Sequence, residues 1–198
     1  MSSFTGSVSV TWLTHAGDDR DMKLNADFSF KDSAGLVWTA KKGATINGAS
    51  IPSIFWSTFG SPFIGDYRRA SVVHDYFCDV RTRPSDATHK MFYEACVTGG
   101  VGQTKAKTMY VMVKTFGPSW QTTTARLEMA GRVVVRKGGK LSYTHTMKSD
   151  DMSEMIRWIE ATNPSIKEID AAIEAKATPA AIISLEGTGI EVGAPPTR

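Results

Sequence analysis

Hydrophobic and polar residues alternate close to the start of the chain, in the pattern of a half-buried strand. Residues 7–13 alternate with a period of two, which predicts a strand. Two further apolar segments, 27–30 and 36–39, are separated by residues 31–35, whose glycine suits a tight turn. They predict an antiparallel hairpin. The glycine-containing segment 41–50 then predicts a loop.

A helical period replaces the alternation further along the chain. Residues 67–80 place their apolar side chains on one stripe, and a second helix is predicted from Pro84 to the glycine pair at 99–100. The segment 103–116 predicts a third helix. A short helical turn is expected at residues 54–59.

The remaining chain predicts a hairpin and two more helices. Segments 132–135 and 141–144 flank a Lys-Gly-Gly turn. Helices are expected at 152–161 and at 166–177, the second behind an Asn-Pro-Ser cap. The last dozen residues, rich in glycine and proline, are expected to form a tail.

Together these elements predict an α+β protein: a small antiparallel sheet packed against about three helices, with a hairpin and a helical C-terminal extension. The expected divisions are an α+β domain at 1–120 (core block 28–120), a hairpin continuation at 121–148, and a helical appendage with a flexible tail at 149–198.

Composition narrows the class of protein. The 198 residues are 41% hydrophobic and carry a net charge of +3, which suits a packed globular chain and argues against nucleic-acid binding. No apolar run approaches the roughly 20 residues of a transmembrane segment. No signal peptide is visible in residues 1–10, so we expect synthesis in the cytoplasm, with any action outside requiring a phage-like or secretion apparatus.

Cys78 and Cys96 are expected to be buried thiols, the alternative being a single disulfide bridge.

Several motifs lie within the core block. They are Asn47–Pro52 (Asn-Gly-Ala-Ser-Ile-Pro), Phe55-Trp56, Gly60–Phe63, His74-Asp75-Tyr76 and the segment from Asp86 to Tyr93. In these motifs the chain resembles a bacterial and phage-associated family of unknown function with an Asp/Asn-Gly-Ala-Ser-Ile-Pro loop and a His-Asp-Tyr helix. The resemblance implies a phage, prophage or secretion context, with peptidoglycan peptides or lipid esters as substrates and a toxin delivered by a contractile apparatus as one setting.

His74 and Asp75 are the first candidates for chemistry. Adjacent residues on a helix point about 100° apart, so a second element must complete any shared site. The short connection at 79–83 predicts that the next helix lies antiparallel to the first and supplies that element. On the next helix Asp86 and His89 share a face. The resemblance leads us to expect aspartate at positions 89 and 47, where this chain has histidine and asparagine.

Two mechanisms fit these residues. In one, His74, His89 and a carboxylate (Asp75 or Asp86) bind zinc or a similar divalent ion with a position left for water. In the other, His74 is a general base and Asp75 holds a cation such as calcium. The second layout is similar to that of secretory phospholipases, although their cysteine framework is missing here.

The loop supplies the remaining candidates. Gly48 allows close approach of backbone N–H groups, and Ala49 and Ser50 offer donors for an oxyanion. Ser50 is also a candidate nucleophile beside His74. Substrate-binding candidates are Asn47, Gly48, Ala49, Tyr76 and Tyr93.

The leading hypothesis is therefore a metal-dependent or His/Asp-dependent hydrolase, acting as a phage- or secretion-linked effector. The alternative is a non-enzymatic phage, tail-associated or defence-inhibiting module that binds a partner protein through its C-terminal helices. In that alternative, His74 and Asp75 only brace the loop. Asp86 also has a purely structural interpretation, as an acidic residue in the first turn of its helix.

Overall fold

A computed structural model describes residues 1–14, 21–48, 65–122, 125–129, 132–136, 140–186 and 190–193. Antiparallel sheets pack against helices, which confirms the α+β prediction. The described helices are α1 (Arg68–Val80), α2 (Ser85–Gly99), α3 (Gln103–Phe116), α4 (Ser149–Thr162) and α5 (Ile166–Lys176). The described strands are β1 (Ser3–Thr5), β2 (Val10–Trp12), β3 (Met22–Leu24), β4 (Phe28–Lys31), β5 (Val37–Ala40), β6 (Thr45–Ile46), β7 (Ser119–Thr122), β8 (Ala125–Met129), β9 (Arg132–Arg136), β10 (Lys140–Thr146), β11 (Thr178–Glu186) and β12 (Ile190–Gly193).

The amino-terminal strands form two small sheets, in the orders β1-β4-β5 and β2-β3-β6. The hairpin predicted at 27–39 is present as β4 and β5, and alternate side chains of both strands are fully buried. Asp32 fixes its turn by accepting hydrogen bonds from the Leu36 backbone N–H and the Trp38 indole N–H. Helix α1 packs against β4, β5 and β6, so this hairpin forms one wall of the core.

The ends of α1 and α2 determine how the two helices lie against each other. Helix α1 ends at Arg81, which adopts the left-handed conformation, and α2 ends at Gly100 with φ of 109°. One residue earlier, a Cβ on Gly99 would lie 2.5 Å from the carbonyl oxygen of Asp66. Only glycine therefore lets the end of α2 approach the chain just before α1. This approach places the middle of α1 beside the start of α2.

The carboxy-terminal strands pair differently from the sequence expectation. Both predicted strands around residue 138 exist, but β9 pairs with β8 and β12, and β10 pairs with β7 and β11. The hairpin is thus β8–β9, and β10 crosses to another sheet. Strand β11 follows the helix predicted at 166–177, in a segment for which no strand was predicted, and β12 lies in the predicted tail. Their apolar residues pair into sheets because β9 and β10 each present an edge.

Helices α4 and α5 pack against α3 and build a second apolar cluster. Met152, Met155, Ile159, Ile169 and Ile173 meet Tyr110 and Val111 of α3 there. The opposite side of α3 contributes Ala106, Met109 and Val113 to the main core. Helix α3 therefore joins the C-terminal segment to the rest of the protein. The helical turn expected at 54–59 lies outside the described residues. Strands β1, β3, β7 and β8 were not predicted, and β6 lies within the predicted loop.

Candidate functional site

Two buried histidines face each other between α1 and α2. His74 lies in the middle of α1, and His89 lies in the second turn of α2, as the short connection between the helices predicts. The His74 Nε2 atom lies 2.9 Å from His89 Nδ1, and both side chains have 0% exposure. One ring donates its N–H and the other accepts, the direction depending on the tautomer. The structure thus brings together the two imidazoles that the sequence singled out.

Both imidazoles are neutral at physiological pH. Burial lowers the pKa of His74 well below its ordinary value, and the neighbouring His89 lowers it further. Burial also lowers the pKa of His89 to about 4, although the carboxylate of Asp86 acts in the opposite direction. A neutral imidazole has a lone pair that can accept a proton or bind a metal ion.

Cys78 is the third member of this cluster. Its Sγ lies 3.6 Å from His74 Nε2 and 3.8 Å from His74 Nδ1. The donor atoms of His74, Cys78 and His89 all lie within 4.8 Å of one another, and all three residues are buried. The sequence interpretation treated Cys78 as a buried thiol, or alternatively as a disulfide partner of Cys96, and in the structure both are buried thiols that are not bonded to each other. The spacing of four between His74 and Cys78, one turn along a helix, was the available signal.

Aromatic rings surround the two imidazoles. The ring of Phe92 lies 4.6 Å from that of His74, and the Trp120 ring lies 6.1 Å from that of His89. Among the described residues, the buried Nε2 of His89 has no hydrogen-bond partner. The carbonyl oxygen of Pro118 is near enough to raise the pKa of this ring, yet it makes no hydrogen bond of regular geometry with Nε2. The cluster is therefore a polar site in apolar surroundings.

Asp75 points away from the two imidazoles and toward the loop. Its Oδ2 accepts hydrogen bonds from the backbone N–H of Asn47 at 2.8 Å and of Gly48 at 3.1 Å. Gly48 has φ of 72°, which glycine adopts without strain. The adjacent residues His74 and Asp75 thus serve two sides of α1, as the angle between neighbouring helical side chains requires. Asp75 ties the loop to the helix and is not part of the histidine–cysteine cluster.

The other candidates lie apart from the imidazoles. The side chain of Asp86 is 78% exposed and lies 3.5 Å from Lys114 Nζ, so the structure does not place it as a ligand. Tyr76 is half-buried with its ring against Phe77. Tyr93 is half-buried and stacks edge-on against Tyr110 of α3, where it bridges the two apolar clusters. Ala49 and Ser50 lie outside the described residues.

The fold and the cluster define an α+β protein with a buried histidine–cysteine site between two antiparallel helices. Residues 22–113 match the family model described as "Protein of unknown function (DUF1353)". That segment includes the hairpin, α1, α2 and most of α3, and therefore all three residues of the cluster. The family description gives no activity.

Two curated relatives come from the bacterium Sinorhizobium fredii. "Uncharacterized protein y4jT" is 48% identical over 102 residues, which cover 52% of this chain and 30% of that protein. "Uncharacterized protein y4iH" is 38% identical over 117 residues, which cover 59% of this chain and 48% of that protein. The chain thus spans about half or less of the length of these relatives. No solved structure matches the chain.

None of the helices in the described part of the chain combines the length and the apolar character needed to cross a bilayer.

Proposed function

We propose that this chain is a hydrolase that uses the imidazole pair His74–His89 to activate water. The proposal rests on the 2.9 Å contact between two fully buried imidazoles. A polar pair in the core costs free energy that two apolar side chains at the same positions would not cost. Its presence between α1 and α2 is therefore better explained by chemistry than by packing.

The protonation state of the pair supports this proposal. Imidazole activates water either by accepting its proton or by binding a divalent ion that acidifies it. Both routes need an unprotonated ring, and burial keeps the pKa of each ring below neutrality. Asp75 has a separate part, since it positions the backbone at Asn47 and Gly48 next to α1. Because both rings have 0% exposure, turnover requires the surrounding residues to move apart.

The resemblance set out above directs the choice of substrates. We propose peptidoglycan peptides and lipid esters as the two classes to test, with the protein acting as a phage- or secretion-linked effector. Both classes carry an acyl carbon that activated water can attack.

The test is hydrolysis by the purified full chain of peptidoglycan fragments and of phospholipid esters. We expect turnover of one class, and a loss of at least about 100-fold in His74→Ala and His74→Gln, the scale of a general base. Circular dichroism checks that each variant is folded. His145→Ala is the matched control, because His145 is a half-buried histidine outside the cluster, with its ring edge-on to that of Tyr143. Full activity in a folded His74 variant, or no turnover of either class by the wild type, contradicts the proposal.

A second candidate function, a binding module without catalysis, is favoured by one observation. A surface pocket of about 180 Å³ lies between β2, β3, β6 and the start of α1. Val10 and Ile46 line it together with Arg68 and Trp12, and Trp12 is 59% exposed. An apolar pocket with one cation suits an anionic amphipathic partner. In this case Trp12→Ser reduces binding of such a partner, while His74→Gln changes only stability.

A further inference from the structure

The cluster of His74, Cys78 and His89 has the dimensions of a metal site. In a tetrahedral zinc site, bonds of about 2.0–2.1 Å to nitrogen and 2.3 Å to sulfur place two nitrogens roughly 3.4 Å apart, and nitrogen and sulfur roughly 3.6 Å apart. The corresponding distances here are 2.9 Å between His74 Nε2 and His89 Nδ1, and 3.6 Å between His74 Nε2 and Cys78 Sγ. Separating the two rings by roughly 0.5 Å would bring the nitrogen–nitrogen distance to that of a tetrahedral site. The donor atoms of His89 and Cys78 lie within 4.8 Å of each other.

The secondary structure presents the three ligands from two directions. His74 and Cys78 lie four residues apart on α1 and so share one face of that helix. His89 approaches from α2, whose position beside α1 depends on the close contact of Gly99 with Asp66. A pair of ligands on one helix and a third on its neighbour leaves one tetrahedral position for water or another small ligand.

The chemistry of the donors selects the metal. Calcium and magnesium prefer oxygen ligands, and no carboxylate belongs to this cluster among the described residues. Two imidazoles and a thiolate suit zinc and similar borderline-soft ions. The neutral state of both rings leaves their lone pairs available, as metal binding requires.

The unpartnered nitrogen of His89 is consistent with this arrangement. If Nδ1 binds a metal, Nε2 carries the proton of the ring. A ligating histidine ordinarily donates that N–H to a carbonyl or carboxylate that orients the ring. The Pro118 carbonyl oxygen, which already raises the pKa of His89, is the acceptor that would take this part.

We propose that His74, Cys78 and His89 bind one zinc ion between α1 and α2. This inference rests on the site of the proposed hydrolase and replaces the expected carboxylate ligand with the Cys78 thiolate. Binding deprotonates the thiol and releases its proton to solvent. Because all three ligands are buried, exchange of the ion with a chelator is slow.

The test is cobalt(II) binding by the full chain after removal of bound metal with a chelator. We expect saturation at one equivalent, with a near-ultraviolet charge-transfer band from thiolate to cobalt and competition by zinc. Cys78→Ser should abolish the band and weaken binding at least about tenfold. Cys96→Ser is the matched control, because Cys96 is an equally buried thiol of α2 outside the cluster, and its binding should equal that of the wild type.

The wild-type spectrum is decisive even if Cys78→Ser does not fold. Saturation without a thiolate band, or no stoichiometric binding, overturns the zinc site. Activity assays of metal-free and zinc-loaded protein separate this proposal from the hydrolase. Stoichiometric zinc without hydrolysis overturns only the hydrolase, and hydrolysis by a protein that takes up no stoichiometric metal overturns only the zinc site.

Discussion

The carboxylate of Asp75 connects α1 to the loop that precedes it. One oxygen accepts the N–H groups of two consecutive residues, Asn47 and Gly48, and the bond to Gly48 is buried. Hydrogen bonds to a charged acceptor contribute more to stability than neutral ones. A buried donor that loses its acceptor also bears the full cost of desolvation. Asp75 is therefore a stability residue of the site.

We expect Asp75→Ala to lower the free energy of unfolding by about 2–4 kcal/mol, because two N–H groups lose a charged acceptor. Asp75→Asn keeps one acceptor oxygen and should lose less. Urea denaturation measures both changes. Asp79→Asn is the control: Asp79 lies on the same helix with an exposed side chain, so its effect should stay within about 0.5 kcal/mol. Equal effects at positions 75 and 79 would count against a role for the loop contacts.

The buried imidazoles make stability depend on pH. Their pKa values are lowered in the folded protein, so the unfolded chain binds more protons below its own pKa of about 6.5. The free energy of unfolding is therefore highest, as far as these imidazoles determine it, above pH 6.5. It falls as pH decreases toward the pKa in the folded protein, which for His89 is about 4. Each imidazole contributes a slope of about 1.4 kcal/mol per pH unit in this window.

We expect His89→Gln to reduce this slope by about 1.4 kcal/mol per pH unit, since one titrating group is removed. Urea denaturation from pH 7 to pH 5, with a chelator present to exclude metal release, gives the slope. Cys96→Ser serves as the control, because burial raises the pKa of that thiol and it does not titrate in this range. An unchanged slope in His89→Gln would contradict burial of a neutral ring.

At the scale of secondary-structure elements, the carboxylate of Asp170 links α5 to α3. Asp170 of α5 accepts hydrogen bonds from the Tyr110 hydroxyl and from Lys114 Nζ. The side chain of Lys114 is only 12% exposed, so this ion pair is less screened than a surface pair. Helix α5 also begins with a capping box in which Ser165 and Glu168 bond each other's backbone N–H groups. The contact with α3 is tertiary, whereas the cap is local.

Replacement of Asp170 by alanine should lower the free energy of unfolding by about 2–3 kcal/mol, because the Tyr110 hydroxyl loses its acceptor and the largely buried Lys114 loses the nearer of its two carboxylates. Asp170→Asn keeps an acceptor for Tyr110 and should give an intermediate value. Thermal and urea denaturation measure the changes, with Glu174→Ala on the exposed face of α5 as the control. If the alanine variants at 170 and 174 are equally stable, the contact does not hold α5 in place.

At the scale of the whole molecule, the C-terminal segment completes the fold. Helices α4 and α5 cover Tyr110 and Val111 of α3, and β11 pairs along the full length of β10. The N-terminal cluster and the C-terminal cluster share α3 and Tyr93. These contacts make the segment after residue 148 part of the packed structure.

We therefore expect a chain shortened at residue 148 to self-associate, since its deletion exposes apolar side chains of α3 and an unpaired edge of β10. Size-exclusion chromatography with light scattering detects association, and hydrogen exchange in α3 should rise. A monomeric shortened chain with wild-type protection in α3 would show that 149–198 is an independent appendage. Because we expect this deletion to disturb the fold, partner binding through α4 and α5 should be tested with substitutions of exposed residues.

Local signals in the sequence were sufficient for much of this structure. Two short segments around a glycine-containing turn at 31–35 predicted the β4–β5 hairpin, and helical patterns with their end signals predicted the positions of α1 to α5. The short connection between α1 and α2 also predicted that His89 would face the helix of His74. These features depend on residues close together in the chain, so spacing and residue type suffice to predict them.

Tertiary structure alone decided the remaining features. Strands β9 and β10 adjoin the same Lys-Gly-Gly turn, yet β9 pairs with β8 and β12 and β10 pairs with β7 and β11, a choice that only tertiary packing makes. The direction of Asp75 followed from the backbone N–H groups that the loop presents, and Cys78 became a candidate ligand because α2 carries His89 to within reach of it. Strands and side chains that are distant in the chain meet only when the protein packs. The local sequence pattern does not specify which of several compatible strands or side chains becomes the partner.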